Sequence, residues 1–362
     1  MRILEVSNFF HPKTSGSGRY CFELSRRLAS RHEVTVLTSR IPRDAPAREE
    51  IDGVNVERIH AWGEGWNISA LSLIIPRLRK IVGGYDFVHL HSYLFLMSNQ
   101  VGLYRKVREF PLYLHLHGGL ATPEIGGFKP LLKKHLYDPF MGKFMFNAAD
   151  RIMSISKTDI EILHQRFGVR KEVHWMPNGI DTSQFPYARK GKNKRIAYIG
   201  RLEKWKGVLS LPRMVAEVHE RDREISWRIV GGGTLREQLQ KECRSLPVTF
   251  TGDVPHSQIP SLLADTDILV LPSLIEGVPT VALEALSCGC PVVARNVGGV
   301  SEIVDSDCGI LLENDGEFPE KINALLDDPS LIAAMGEAGR RKVESYYDWK
   351  SVVARFEAVM SQ

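Results

Sequence analysis

Two glutamates in the second half of the chain, Glu276 and Glu284, have the type and spacing to hold a hydroxyl-rich ligand. The apolar run 268–271 is typical of a buried strand, and a helix is predicted to begin at about Thr280, after the turn 276–279. A strand, a glycine turn and a helix start present free backbone N–H groups to a phosphate. Acidic side chains beside an anion repel it unless they accept hydrogen bonds from neutral hydroxyls. The pattern therefore indicates a sugar nucleotide, in which a diphosphate joins two hydroxyl-bearing sugars.

Two cations follow a predicted strand that ends at Gly200. Arg201 could grip two phosphate oxygens with its planar guanidinium, and Lys206 could add a compact charge. Ligands of open α/β sheets bind outside the carboxyl ends of the strands, which suits a diphosphate at this place. Such cations could stabilise the charge that develops on a diphosphate leaving group. The alternative is a solvated basic loop, since Lys204 lies between them.

A glycine loop and a histidine are the candidates in the first half of the chain. Gly16 follows the first predicted strand, and a loop without Cβ atoms can approach a ligand closely, although it could equally be a tight turn. His117 follows the predicted strand 112–116, so its imidazole is expected at the carboxyl edge of the sheet. His91 ends another predicted strand and could line an acceptor pocket, whereas His115 lies within its strand and is predicted to be packed.

Short apolar runs alternate with helical patterns in both halves, which is typical of βαβ units and parallel sheets. The break between the halves is predicted at 173–194, where proline, glycine and a basic run interrupt the periodicity. The sequence therefore predicts an α/β protein with two Rossmann-like domains that face each other across a cleft. The predicted strands are 2–6, 33–38, 54–59, 87–90, 112–116, 151–154, 195–199, 227–230, 248–251, 267–271, 291–294 and 309–312.

Length and composition suit a protein of two ordinary domains. The chain has 362 residues, and no run approaches the roughly 20 apolar residues that a membrane-spanning helix needs. Glu5 lies too early for a signal peptide. The five cysteines lack the spacing of a metal or redox motif and are expected to be small buried thiols. These features predict a cytoplasmic protein.

The charge is distributed unevenly along the chain. Residues 1–176 carry 25 Lys and Arg against 17 Asp and Glu, a net +8, and residues 177–362 carry 22 against 26, a net −4. A basic half indicates an anionic partner.

Within the basic half, segment 127–146 repeats an apolar residue every four positions, at Leu132, Leu136, Phe140 and Phe144, and Pro139 must kink or divide any helix there. One interpretation is a core-facing helix with a solvated cationic face. The other is an interfacial patch that contacts anionic lipid and presents a lipid-linked acceptor. An anionic soluble acceptor would also explain the charge.

Taken together, these motifs resemble the nucleotide-sugar glycosyltransferases of family 4, also known as glycosyl transferases group 1. Residues 200–202, followed by Lys206 and Gly207, resemble the diphosphate clamp of that family. Residues 177–181 resemble the start of its second domain, and residues 231–235 resemble its next loop. Ser15 and Gly16 stand where the family usually has two glycines. The resemblance implies the GT-B fold and sugar transfer with retention of anomeric configuration.

The resemblance also implies a role for each candidate residue. Glu276 would bind hydroxyls of the transferred sugar, Glu284 would bind the ribose of the nucleotide, and His117 would lie close to the sugar or acceptor. The residues assigned to catalysis are Arg201, Lys206, Glu276 and His117. The residues assigned to donor binding are Gly16, Gly200, Gly277, Val278, Thr280, Val281 and Glu284.

The implied domain organisation has three parts. Residues 1–176 would form an acceptor-binding domain and residues 177–345 a nucleotide-sugar-binding domain. A terminal helix at 346–362 would pack back on the first domain. The expected partners are a nucleotide-sugar donor and a sugar, lipid-linked or anionic acceptor, and no role for nucleic acid is expected. Peripheral contact with an anionic membrane is expected only if segment 127–146 is the interfacial patch rather than a core-facing helix.

No metal ion or other cofactor is expected, because Arg201 and Lys206 cover the charge of the diphosphate. Two Asp-x-Asp triplets, at 265–267 and 305–307, match the metal-holding triplet of a different glycosyltransferase architecture and are interpreted as accidental. The resemblance implies a front-side route in which the leaving phosphate accepts the proton of the acceptor hydroxyl.

Three other functions compete with this interpretation. A sugar-nucleotide epimerase on the same architecture would need acid and base groups at a sugar carbon and no acceptor. A dinucleotide-dependent dehydrogenase is disfavoured, because the first strand is not followed by Gly-x-Gly-x-x-Gly with an acidic residue about 20 positions later. A silent sugar-nucleotide-binding subunit is disfavoured by the presence of Arg201, Lys206, Glu276 and Glu284.

Overall fold

The computed structural model describes residues 1–12, 15–62, 71–120, 133–191 and 193–362. These residues divide into two compact units. The first unit consists of Met1–Pro177 with Val353–Gln362, and the second of Asn178–Val352. Each unit has its own mainly parallel sheet with helices between the strands. The predicted α/β class with two Rossmann-like domains is confirmed.

The sheet of the first unit has eight strands. They are β1 (Arg2–Ser7), β2 (Glu33–Ser39), β3 (Arg48–Ile51), β4 (Val54–Ile59), β7 (Phe87–His91), β8 (Leu112–Leu116), β9 (Arg151–Ser154) and β10 (Val173–Trp175), and a separate small hairpin contains β5 (Ala61–Trp62) and β6 (Leu71–Ser72). The order is β10-β9-β8-β7-β1-β2-β4-β3, and β3 is antiparallel to β4 at the edge. Strands β7 and β8 are buried along their whole length, although histidines interrupt their apolar residues.

The helices of the first unit pack their apolar sides on this sheet. They are α1 (Gly16–Leu28), α2 (Ile75–Ile81), α3 (Leu96–Arg105), a π-helix (Lys133–Gly142), α4 (Lys143–Ala148) and α5 (Lys157–Phe167). Helix α1 begins where Ser15 caps it, since the Ser15 hydroxyl accepts a hydrogen bond from the Gly18 N–H at 3.2 Å. One contiguous core contains Leu4, Val88, Leu114, Met145 and Phe146.

The second unit has a six-stranded parallel sheet. Its strands are β11 (Arg195–Ile199), β12 (Ser226–Val230), β13 (Val248–Gly252), β14 (Ile268–Leu271), β15 (Val292–Arg295) and β16 (Gly309–Leu312), in the order β13-β12-β11-β14-β15-β16. Its helices are α6 (Leu211–Arg221), α7 (Arg236–Glu242), α8 (Ile259–Ala264), α9 (Thr280–Ser287), α10 (Val300–Ile303), α11 (Phe318–Leu326) and α12 (Pro329–Tyr346). A second core lies on this sheet around Tyr198, Trp227, Ile268 and Phe318.

Each sheet has a point where its strand order reverses. In the first unit the chain moves outward from β1 to β2 on one side and returns to β7 on the other, and in the second unit β12 and β14 flank β11 in the same way. Loops that leave the carboxyl ends of two such neighbouring strands diverge and open a ligand site. In the first unit Gly16 follows β1, and His117 follows β8, the neighbour of β7. In the second unit Arg201 and Lys206 follow β11, and Glu276 follows β14.

Most predicted strands agree with the observed ones to within two residues. The prediction missed the short edge strand β3 and the hairpin of β5 and β6, which offer too few apolar residues to form a pattern. It also missed β10, which lies inside the segment predicted as the break between the halves. The division between the two units falls after Pro177, within that segment.

Segment 127–146 differs from the core-facing helix considered above. Residues 127–132 lie outside the described part of the chain, and residues 133–142 form the π-helix, with Pro139 inside it. Leu136 is 55% exposed and Phe140 is 71% exposed, so the core-facing interpretation is wrong for these two. A π-turn is wider than an α-turn, so a spacing of four residues no longer keeps side chains on one face. Within the π-helix Asp138 is buried, and beyond it Met145 and Phe146 face the core.

The last helix, α13 (Trp349–Met360), passes from the second unit into the first. Its Phe356 ring lies 4.8 Å from the His89 ring, and its Glu357 pairs with Arg31 at 2.8 Å. Both contacts lie within the first unit. Among the described helices, none combines the length and apolar character of a membrane span.

Candidate active site

The loops after β11 and β14 meet through one ion pair. The ammonium of Lys206 lies 2.5 Å from Oε1 of Glu276, and the hydroxyl of Ser273 donates to the same oxygen at 2.8 Å. The Lys206 side chain is 18% exposed and the Glu276 side chain 8%. The structure therefore brings together a predicted phosphate-binding cation and a predicted sugar-binding carboxylate, which are 70 residues apart in the sequence.

Close backbone packing holds these two loops in place. The N–H groups of Leu274 and Ile275 donate to the carbonyl of Trp205 at 3.0 and 3.3 Å. Gly207 has φ +67°, and a Cβ atom there would lie 1.9 Å from the carbonyl oxygen of Pro272. The glycine is therefore required both by its left-handed backbone and by the approach of the second loop.

Arg201 is exposed and lies over an aromatic ring. Its guanidinium carbon is 4.7 Å from the centre of the Trp205 ring, and the Lys206 ammonium is 4.6 Å from the same centre. Stacking of this kind orients cations without neutralising them. Trp205 lies between the two cations in the sequence, and the clamp motif gave no reason to single it out.

The strand end before Arg201 is also constrained. The Tyr198 hydroxyl donates to the Arg201 carbonyl at 2.8 Å, and a Cβ atom at Gly200 would lie 3.0 Å from that hydroxyl. Burial, and to a smaller extent the negative charge of Glu276, raises the pKa of Tyr198 well above its usual value. The phenol therefore remains a neutral donor that fixes the Arg201 backbone.

The glycine turn before α9 is open. Gly277 is exposed, and no described atom lies within 4 Å of the position that a Cβ atom would take there. Helix α9 begins at Thr280, and the residue before it, Pro279, makes no side-chain hydrogen bond to the helix start. Val278 and Val281 are partly exposed. The first-turn N–H groups are thus not capped by a side chain at this position, as a phosphate-binding helix start requires.

The loop between β15 and α10 packs against this turn. The Gly299 N–H donates to the Gly277 carbonyl at 2.8 Å. Gly298 has φ +55°, and a Cβ atom there would lie 1.9 Å from the Glu276 carbonyl oxygen. This support loop, residues 296–299, therefore fixes the position of the turn. The sequence analysis did not assign it that role.

Glu284 is largely buried and has a histidine partner. Its Oε1 lies 2.9 Å from Nε2 of His256, and the Glu284 side chain is 10% exposed. The sequence prediction missed His256, which lies in a short 3₁₀ turn before α8 and has no motif around it. The pair can present a carboxylate of fixed orientation to a hydroxyl.

In the first unit, Gly16 is exposed at the start of α1, and no described atom lies within 4 Å of its Cβ position. Gly18 differs, because a Cβ atom there would lie 2.6 Å from the Phe9 carbonyl oxygen. Gly16 is therefore available to a ligand, while Gly18 allows the helix to approach the loop after β1.

His117 is partly exposed and forms part of a buried polar cluster. Its Nε2 lies 2.9 Å from Nδ1 of His91, and Nε2 of His91 lies 2.7 Å from Oε2 of Glu5. His91 therefore faces inward to Glu5, and the prediction that it could line an acceptor pocket is not supported by this burial. His115 is fully buried, as predicted.

The electrostatics of this cluster follow from burial. Burial lowers the pKa of His91 to about 4, despite the neighbouring Glu5 carboxylate, and it holds the pKa of His117 well below its usual value. Although burial opposes ionisation, the two histidines His89 and His91 lower the pKa of Glu5 to about 2. The buried side chain of Glu5 is thus an ionised carboxylate with the imidazoles of His89 and His91 around it.

Both Asp-x-Asp triplets have structural partners. Asp267 accepts hydrogen bonds from the N–H groups of Gly191 and Asn193, at 2.6 and 2.9 Å. Asp305 pairs with Lys342 at 2.6 Å. Within the described residues, side chains close enough to share a metal ion occur in the first unit, as the group His89, His91 and His115 and the group Glu5, Cys21 and His91. Neither group contains a residue of the predicted diphosphate clamp.

Two family models together cover most of the chain. The model described as Glycosyl transferases group 1 matches residues 179–342, and the model described as Glycosyltransferase Family 4 matches residues 14–184.

Relatives and solved structures agree with these matches. The glycogen synthase of Mycobacterium tuberculosis (strain CDC 1551 / Oshkosh) is 26% identical over 97% of this chain and 92% of its own length. The GDP-mannose-dependent alpha-(1-6)-phosphatidylinositol monomannoside mannosyltransferase of Mycolicibacterium smegmatis is 26% identical over 99% of this chain and 98% of its own. The crystal structure of Anabaena HepE in complex with UDP is 19% identical and matches with a TM-score of 0.77 over 100% of both chains.

The two Rossmann-like units have the GT-B fold, and the protein is a glycosyltransferase. Within that class, the chain belongs to family 4, the glycosyl transferases group 1. The comparisons give no support to the epimerase alternative.

Proposed function

We propose that this glycosyltransferase transfers a hexose from a nucleotide-diphosphate sugar to an acceptor hydroxyl, with retention and without a metal ion. The observation that carries the proposal is the junction of Lys206 with Glu276, beside the stacked Arg201 and the open glycine turn. This junction places cations for a diphosphate next to a carboxylate for hydroxyls. The UDP complex of Anabaena HepE and the GDP-mannose dependence of the mycobacterial relative support a donor of this class.

In the proposed reaction, Arg201 and Lys206 hold the diphosphate together with the N–H groups at the start of α9. Their charge stabilises the diphosphate as the bond between its oxygen and the anomeric carbon breaks. The acceptor oxygen forms the new bond to that carbon on the same face, and its proton moves to the departing phosphate oxygen. No residue acts as a covalent nucleophile. Donor and acceptor supply every atom and proton of this reaction, so it requires no cofactor.

The carboxylates and the remaining predicted residues bind the neutral parts of the donor. Glu276 would accept hydrogen bonds from the transferred sugar, and Glu284, oriented by His256, would accept them from the ribose. Gly16, Gly200 and the turn residues Gly277, Val278, Thr280 and Val281 would allow the backbone to approach the donor. His117 would contact the sugar or the acceptor.

We further propose an acceptor linked to an anionic lipid or otherwise anionic. The first 176 residues have a net charge of +8, and the exposed Leu136 and Phe140 lie on the π-helix with the exposed cation Lys143 just beyond it. Apolar and basic groups on one segment are the combination that binds an anionic membrane surface. Peripheral membrane contact and a cytoplasmic location, expected from five buried free cysteines, belong to the same proposal.

The donor is tested first by thermal shift with UDP-, GDP-, ADP- and CMP-linked hexoses. A donor at 100 times its dissociation constant adds about 2.7 kcal/mol to the free energy of unfolding, so one of the four should raise the melting temperature by several degrees. No shift with any of them would contradict a nucleotide-sugar donor.

The reaction is then followed by donor consumption, with a maltooligosaccharide or phosphatidylinositol as acceptor probe. We expect consumption that depends on an acceptor, a product with the anomeric configuration of the donor, and unchanged rates in excess EDTA. Conversion of the donor without any acceptor would indicate an epimerase. Loss of activity in EDTA with rescue by Mg²⁺ or Mn²⁺ would refute the metal-free mechanism.

A further inference from the structure

The buried cluster beneath His117 contains groups that the proposed mechanism does not use. Strands β1, β7 and β8 are neighbours, with Glu5 in register with His89 and His91 in register with His115. Because side chains alternate along a strand, these four residues lie on one face of the sheet. All four are fully buried. They lie where the strand order reverses, which is where ligands of such sheets bind.

The buried carboxylate of Glu5 lowers the stability of the fold unless hydrogen bonds compensate for its lost hydration. An ionised carboxyl group loses its hydration on burial and needs compensating hydrogen bonds. Glu5 Oε2 lies 2.8 Å from His89 Nδ1 and 2.7 Å from His91 Nε2, and no described residue bonds its Oε1. A leucine or valine would fill such a core position without this cost, so packing does not explain the residue.

The hydrogen-bond roles along the chain of groups follow from this carboxylate. Ionised Glu5 can only accept, so Nε2 of His91 must carry a proton. His91 is neutral, because burial depresses its pKa to about 4, so its Nδ1 carries a lone pair and accepts. His117 must then donate its Nε2–H to that lone pair. A neutral His117 with hydrogen on Nε2 keeps a lone pair on Nδ1, which no described residue engages.

We propose that Glu5 and His91 are positioning residues that fix His117 as the Nε2–H tautomer, so that its Nδ1 accepts a hydrogen bond from a hydroxyl group of the sugar substrate. The functional part of this inference rests on the proposed glycosyl transfer. It excludes two other roles for His117: it carries no charge for a phosphate, and it has no proton on Nδ1 to give to a leaving group. The rings of His91 and His117 stack at 5.1 Å and 21°, which holds the orientation as well as the tautomer.

The tautomer itself is measured by nitrogen-15 NMR on the full-length protein labelled at histidine. In the wild type we expect both His91 and His117 to be neutral with hydrogen on Nε2. A wild-type His117 that is charged, or that carries its hydrogen on Nδ1, overturns the proposal. This measurement needs no substrate. Its result therefore tests the tautomer independently of the proposed glycosyl transfer.

Three variants connect the tautomer to activity. Glu5→Gln is isosteric but can donate as well as accept, so it should release the tautomer of His117 and lower kcat/KM by roughly 10- to 100-fold. His91→Leu should do the same. His91→Gln can still donate to Glu5 and accept from His117, so it should keep the tautomer and restore most of the activity.

His89→Asn is the matched control, since its amide keeps an N–H donor for the Glu5 carboxylate that His89 contacts at 2.8 Å, and His89 does not contact His117 in the described network. It should leave the tautomer of His117 and kcat/KM nearly unchanged. Equal losses in His89→Asn and Glu5→Gln would overturn the proposal in favour of general packing. A transition metal retained in stoichiometric amount by the purified protein would also overturn it, because a metal would occupy the histidine lone pairs.

Discussion

Lys206 and Glu276 neutralise each other before a donor is bound, across 2.5 Å. A diphosphate that reaches this pair offers the ammonium a second anionic partner, and the carboxylate is then free to accept hydrogen bonds from neutral sugar hydroxyls. Ser273 already holds one oxygen of Glu276 in place for this exchange. The ion pair thus holds both a phosphate-binding ammonium and a hydroxyl-binding carboxylate in position. Of the two, Lys206 has the positive charge that stabilises the transition state.

Lys206→Ala should therefore lower kcat by roughly 10²- to 10³-fold, the range seen when one electrostatic stabiliser of a transition state is removed. The melting temperature should fall as well, because the largely buried Glu276 carboxylate loses its ammonium partner. Steady-state kinetics and a thermal scan measure the two effects. Lys204→Ala, an exposed neighbour in the same turn, is the control and should keep at least half of the activity. Near-normal turnover of Lys206→Ala would remove the diphosphate clamp from the mechanism.

Among the secondary-structure elements, the loop between β15 and α10 has the clearest effect on the site. It contains no predicted ligand, yet Gly298 approaches the Glu276 carbonyl so closely that no side chain fits. Its neighbour Gly299 donates to the Gly277 carbonyl. The loop therefore determines where the turn before α9 lies, and with it the direction of the helix N–H groups.

Gly298→Ala should displace the turn and lower kcat/KM by at least about 10-fold, since a misplacement of the order of 1 Å can cost far more than that. The free energy of unfolding should fall by about 1–3 kcal/mol, because the residue has φ +55° and little space. Kinetics and denaturant unfolding of the variant measure both quantities.

The control is Gly316→Ala in the same unit, where no described atom lies within 4 Å of the Cβ position and φ is not positive. It should be nearly silent in both measurements. If Gly298→Ala retained full activity with the expected loss of stability, the support loop would be structural only.

At the scale of the whole molecule, charge and exposed apolar groups coincide in the first unit. Helix α3 packs beside the π-helix and α4, since the Tyr137 hydroxyl donates to Asn99 at 2.9 Å and the Lys106 ammonium lies 6.0 Å from the Phe144 ring. The exposed side chains of Leu103, Leu136 and Phe140, with the exposed cations Lys106 and Lys143, thus belong to adjoining segments.

Reversing two charges of this surface, in Lys106→Glu with Lys143→Glu, should weaken binding to vesicles that contain anionic lipid by at least about 10-fold, because each lysine near such a surface contributes about 1 kcal/mol. Co-sedimentation with phosphatidylglycerol-containing and neutral vesicles measures the effect. Lys133 is unsuitable for this test, since it is tied to Asp138 and to the Gly119 carbonyl, both at 2.7 Å. Lys241→Glu with Lys321→Glu, two lysines of the second unit, is the control with the same change in charge. Unchanged binding of the double variant would leave the surface without a membrane role.

The alternation of strands and helices was readable from the sequence because burial imposes a local period on each element. Strand β14, buried along its whole length, appears as a short continuous apolar run, and helix α9 follows a glycine turn that predicts its start. Short edge strands such as β3 and the wide turns of the π-helix lack that period, so they were missed or misread.

Residue types after the ends of strands likewise indicated Arg201, Lys206 and Glu276, because a sugar nucleotide needs cations and carboxylates at such places. Glu284 was indicated as a second carboxylate on the helix that follows. The contacts that these residues make could not be predicted from the local sequence pattern. Contacts such as Lys206 with Glu276, His256 with Glu284, and Glu5 with His91 join residues that are 70, 28 and 86 positions apart. They depend on strand order, register and the path of each crossover, which arise from the summed packing of the whole unit. A local pattern therefore determined which groups are present, and tertiary structure decided which of them meet.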